Sequence, residues 1–82
     1  MEVKSKIIQK LEERHQIYVG LNQEEVSKDP FWRIKNPMKE NEMNDWIEFG
    51  VNTIMSEMGC DRTKAEIEMS WIEASYTTTI KQ

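Results

Sequence analysis

The chain has 82 residues, a net charge of −4 and 38% apolar residues, which makes one small domain with a thin core. Ile, Leu, Val and Phe number 17, close to the one-fifth fraction below which strongly charged chains stay unfolded, while six Met and three Trp add burial capacity. A multi-domain enzyme, a disulfide scaffold and a low-complexity chain are excluded, and the acidic balance has the wrong sign for gripping phosphate by charge alone.

Val3, Ile7, Ile8, Leu11, His15, Tyr18 and Val19 recur at steps of three and four, which predicts an amphipathic helix over 3–19. Gly20 follows where a left-handed residue is wanted. Asn22 and Glu25 have the spacing of a capping box, and Asp29-Pro30 stops whatever turn they start.

Two prolines then bracket Phe31, Trp32, Arg33, Ile34 and Lys35. Two adjacent aromatics are unexpected in a loop, and two readings stand. Phe31, Trp32 and Ile34 plug the open end of a helical core, or the five residues form an exposed anchor for a protein partner, since aromatics concentrate at binding hot spots.

A second long helix is expected from Pro37 to about Met58, with Asn36 as N-cap and Pro37 at the first helical position. Met43, Trp46, Ile47, Gly50, Val51, Ile54, Met55 and Met58 form its apolar stripe. Gly50 lies within that stripe and costs about 1 kcal/mol of helix propensity relative to Ala, which points to a close helix–helix approach. Gly59 ends the helix. Asp61 caps a shorter third helix over 62–76, with one stripe of Ala65, Met69, Ile72 and Tyr76 and a neighbouring one of Ile67, Trp71 and Ala74. The β-branched run after Tyr76 is expected to be extended or frayed over 76–80.

The expected fold is therefore all-α: a single helical domain over 1–82, with two long helices and one shorter, antiparallel through turns at 20–36 and 59–61. Its predicted core is Ile7, Leu11, Ile47, Val51, Ile54, Met58, Trp71 and Ile72. So thin a core predicts self-association, as a dimer, through the Met-rich stripe of the second helix or the broad third helix.

Chemistry is sparse. His15 is the sole histidine and Cys60 the sole cysteine; neither His-Glu-x-x-His nor Cys-x-x-Cys occurs, so no metal site is expected. The three glycines make no phosphate-cradling run, and the carboxylates of the helices read as solvated faces. No catalytic residue, cofactor or enzymatic activity is expected. A single cysteine fits a reducing compartment, no signal peptide is visible at the N-terminus, and charges interrupt every apolar run, so no transmembrane segment is expected. The expected location is the cytoplasm.

Residues 54–67 have the outline of a helix-turn-helix, with Arg62, Thr63 and Lys64 at the start of the second helix. Glu66, Glu68 and Glu73 on that helix would repel phosphates, so nucleic acid is an unfavoured partner and a plain helical corner the favoured reading.

The stretch from Phe31 to Gln82, FWRIKNPMKENEMNDWIEFGVNTIMSEMGCDRTKAEIEMSWIEASYTTTIKQ, is rich in Lys, Glu, Ile, Asn and Met and poor in Pro and Gly. In this texture, and in length, the chain resembles the small accessory proteins of T4-like phages, and among them the cytoplasmic antiholins of lysis inhibition. The resemblance implies a protein of the host cytoplasm that binds the cytoplasmic segment of the phage holin, strengthens its complex with a periplasmic antiholin and delays lysis. It carries over no individual functional residue. Other small phage inhibitors of host or defence proteins share the texture, and a helix-turn-helix regulator is the alternative of a different class.

Overall fold

The computed structural model describes residues 3–78, with side chains as far as Tyr76. Among them all regular structure is helical: α1 (Val3–Val19), α2 (Gln23–Lys28), α3 (Trp32–Lys35), α4 (Glu40–Met58) and α5 (Arg62–Thr78). α1 has the expected bounds and ends at Gly20, whose φ of 73° is left-handed. The Asn22 capping box forms in both directions: Asn22 Oδ1 accepts from Glu25 N–H at 2.8 Å and Glu25 accepts from Asn22 N–H at 3.0 Å.

α4 lies against both α1 and α5. Along α1 and α4, Tyr18 bonds to Asp45, Arg14 stacks on Phe49, and Lys6 and Lys10 pair with Glu57. Numbers fall on one helix as they rise on the other, so the two run antiparallel. α4 and α5 are antiparallel as well: the turn at 59–61 joins them, Gly50 faces Met69 and Trp46 rests on Tyr76 with ring centroids 4.8 Å apart. A Cβ on Gly50 would stand 2.6 Å from Met69 Cε and 3.2 Å from Leu11. The missing side chain thus leaves the room that Met69 of α5 and Leu11 of α1 fill against α4, the close packing that its cost in helix propensity implied.

Three expectations about the helices need correction. α4 starts at Glu40 rather than Pro37, because Asn36 is occupied elsewhere: its backbone N–H and side-chain Nδ2 both donate to the Trp32 carbonyl, closing α3. Lys39 N–H instead donates to Glu42 at 2.9 Å, the carboxylate half of a capping box. α5 is not the shorter helix: it has 17 residues, as many as α1. Its helical bonding continues through Thr78, so residues 76–78 are neither extended nor frayed. The remainder of that expected tail lies outside the described residues. Asp61 does cap α5, accepting from Lys64 N–H at 2.9 Å.

The core contains Ile7, Leu11, Val51, Ile54 and Ile72 from the expected set, with Ile47 half-buried against it. Met58 and Trp71 are not core residues, at 44% and 71% exposed. Met58 is the last residue of α4, past which the chain turns away at Gly59. Trp71 lies on the neighbouring stripe of α5, while Ala65, Met69, Ile72 and Tyr76 are the ones facing α4 and α1. Trp46 takes the central place: it is fully buried and its indole N–H donates to the Leu11 carbonyl at 2.9 Å.

Candidate interaction surface

His15 lies on the inner face of α1, 2% exposed, where α1, α3 and α5 meet. Its Nε2 is 2.8 Å from the Asn36 carbonyl, which can only accept, so Nε2 carries the proton. Nδ1 then accepts from the Tyr76 hydroxyl at 2.9 Å. The imidazole also rests against Trp32, with ring centroids 4.6 Å apart. Burial lowers the His15 pKa below its ordinary value; the hydrogen bond to Asn36 opposes that, Arg33 reinforces it, and Glu12 and Glu42 oppose it. Burial pushes the Tyr76 phenol up, which keeps it a donor. The ring is therefore neutral and matched at both nitrogens. His15 is a structural lock between helices, consistent with its place on a half-apolar face.

Arg33 closes this end of the molecule. Its guanidinium pairs with Glu12 at 2.6 Å, donates to the Tyr76 carbonyl at 2.8 Å and stacks 3.9 Å from the Tyr76 ring centre. One side chain thus joins α3 to α1 and α5, in an environment where only 14% of it reaches solvent. Sequence spacing had no way to show this, because Glu12, Arg33 and Tyr76 are far apart along the chain.

The five residues singled out between the prolines are divided by α3. Trp32 is 5% exposed and plugs the core beside His15, and Arg33 is turned inward with it. Phe31 and Ile34 face outward at 45% and 43% exposed. Lys35 is outside too, paired with Asp29 at 3.1 Å. Asp29 also accepts from Phe31 N–H at 3.0 Å, and that bond, followed by Lys35, draws its pKa down. The single turn of α3 is held from beneath by Trp32 and Arg33 and at its start by Asp29. Phe31 and Ile34 are displayed on a fixed base.

The 54–67 corner joins α4 and α5, which pack against each other beyond it at Gly50–Met69 and Trp46–Tyr76. Arg62 donates two bonds to Glu48, at 2.7 and 2.8 Å, and one to Glu66 at 3.0 Å. Of the three residues placed at the start of a recognition helix, the arginine is thus held by two carboxylates. Thr63 and Lys64 are exposed. Cys60 is half-buried and in no disulfide.

No protein family, curated protein or solved structure matches the chain.

Among the described residues, no helix is long and apolar enough to cross a membrane. Apolar surface instead remains outside, at Ile17, Phe31, Ile34, Ile67 and Trp71. Of these, Ile67 and Trp71 on α5 were missed as surface residues. Their signal was present in the second stripe of α5, which cannot share a face with Ala65, Met69 and Ile72.

Proposed function

We propose that the protein acts without enzymatic chemistry, by binding another protein, and that it also pairs with a second copy of itself. The specific reading is that of a cytoplasmic antiholin, which binds the cytoplasmic segment of a phage holin and delays lysis. The observation that supports a binding role is the α3 edge: Phe31 and Ile34 stand outside while Trp32 and Arg33 anchor the same turn inside. An edge ordered in advance loses little entropy when it docks, and aromatic residues on such edges carry much of the affinity of interfaces. The surface chemistry agrees, since a chain of net charge −4 is drawn to a basic partner, such as a segment next to the inner face of a membrane.

Calorimetric titration of the purified chain with a synthetic holin cytoplasmic segment tests this reading. Saturable binding is expected, weakened about ten-fold or more by Phe31→Ala together with Ile34→Ala, which corresponds to loss of an interface anchor. Absence of binding rejects the antiholin reading. Retention on DNA at low salt in the same preparation would favour the helix-turn-helix alternative, which the engagement of Arg62 by Glu48 and Glu66 disfavours.

A further inference from the structure

The side of α5 turned away from the core has an unusual composition. Ala65, Met69, Ile72 and Tyr76 are buried, and at 100° per residue the opposite side carries Thr63, Ile67, Ser70, Trp71 and Ala74. The outermost face of a helix in an acidic protein is ordinarily its most charged. Here the glutamates sit at the borders instead: Glu66 and Glu73 line the edge next to α4, together with Ile47, Glu48 and Val51. Lys64 brings charge to the outer face only at its N-terminal end. At its middle Trp71 is 71% exposed and Ile67 is 55% exposed, one turn apart.

Thr63, Ile67, Ser70 and Ala74 follow one another at steps of four, three and four, the spacing of a two-helix seam. Thr63, Ser70 and Ala74 are small enough to let a second helix approach closely, and Ile67 is the one bulky apolar residue of the row. Beside the seam, an open groove between α4 and α5 is lined by Met43, Trp46, Ser70, Glu73, Ala74 and Tyr76. The exposed Trp71 on one flank of this row and the groove on the other belong to the same helix, which makes the face self-complementary in the way a two-fold interface requires.

Resting on the reading of the chain as self-associating, we propose that this outer face of α5 is the surface through which two copies pair, α5 against α5. The parallel arrangement suits its charges. In an antiparallel pair of this register, flanking positions of one kind oppose each other, and Glu66 meets the partner's Glu73; in a parallel pair Glu66 lies beside the partner's Trp71. The 17 residues of α5 extend about 25 Å, and a single helix seam of that length hides less than the roughly 1,200 Å² below which complexes are transient. The dimer is accordingly weak, with a dissociation constant in the micromolar range. Its two protomers, each of net charge −4, repel through solvent, so added salt strengthens it.

Sedimentation equilibrium of the full chain over about 5–500 µM, at low and moderate salt, tests the proposal alongside Trp71→Glu, Ile67→Lys and two surface controls, Phe31→Glu and Ile17→Glu, whose charge change equals that of Trp71→Glu. The expected result is a wild-type dimer that tightens with salt. Trp71→Glu and Ile67→Lys raise the dissociation constant at least ten-fold with an unchanged melting temperature, because both side chains are exposed in the monomer, and the two controls still dimerise. A wild-type chain that stays monomeric throughout overturns self-association itself. A dimer that survives Trp71→Glu and Ile67→Lys, or that is lost equally in the controls, leaves self-association standing and overturns the α5 face.

Discussion

Acidification from pH 7 to pH 5 should weaken the fold through a single group, His15. The neutral ring donates from Nε2 to Asn36 and accepts at Nδ1 from Tyr76, so a second proton would make both nitrogens donors. Tyr76 would then have to turn its hydroxyl to accept, around a ring only 2% exposed. Burial, the first cause, holds the folded-state pKa below 6.5, whereas the imidazole of the unfolded chain titrates at about 6.5. Between those values the unfolded state binds more protons, and stability rises with pH. The His15 contribution is therefore complete above about pH 6.5 and is lost as the pH falls below it toward the lowered folded value. The loss is at most about 1.4 kcal/mol per pH unit, or about 2 kcal/mol by pH 5. Against a total stability of roughly 4–12 kcal/mol for a chain of this length, that lowers the melting temperature by up to about 8–16 °C. Thermal melts at half-unit steps from pH 7 to pH 5, on wild type and on His15→Gln, read the effect directly. Gln keeps a donor and an acceptor but has no proton to gain, so its melting temperature should be nearly flat over this range. The hydrogen-bonded carboxylates respond lower down: Lys10 holds Glu57 below its usual pKa and Arg62 does the same for Glu48. Because His15 is the sole histidine, its ring proton resonances report the folded pKa independently. A wild-type profile as flat as that of His15→Gln, or a folded pKa at or above 6.5, would refute the reasoning.

Trp32→Ala should cost about 3–5 kcal/mol in a urea melt, the loss expected for a buried Trp, since its indole plugs the core beside His15; a change under about 1 kcal/mol would return Trp32 to the exposed anchor. Gly50→Ala should destabilise by about 1 kcal/mol net, because displacing the buried Met69 and Leu11 costs about 1–3 kcal/mol and outweighs the gain of about 1 kcal/mol in helix propensity. Trimming Met69 to Val in the same chain should reverse the sign of that substitution, measured by the same melts. Asp61→Ala should cost about 1 kcal/mol through the lost cap on α5, while Asp61→Asn should cost less, because its amide oxygen still accepts from Lys64 N–H.

Local features of the chain were legible from the sequence because their physics is local. The span of α1, the capping box at Asn22, the left-handed stops at Gly20 and Gly59 and the cap at Asp61 each depend on residues within one turn. Gly50 was legible too, since a glycine inside an apolar helical stripe has few explanations other than close packing. What neighbouring residues could not settle was which of two stripes on α5 faces inward. Hydrophobicity favours Trp71 over Met69, yet the space between α4, α5 and α1 at Gly50 admits the narrow, flexible thioether and leaves Trp71 outside. Asn36 had the right chemistry for an N-cap, but α3 claims both of its donors and His15 its carbonyl. The same holds for the division of the Phe31–Lys35 segment. That one turn of helix sends Trp32 and Arg33 in and Phe31 and Ile34 out follows from contacts with Glu12, His15 and Tyr76. Helix periodicity thus determined that this chain is all-α and where its helices stop; only the meeting of distant side chains in one dry space decided which aromatic residues hold the core and which remain on the surface.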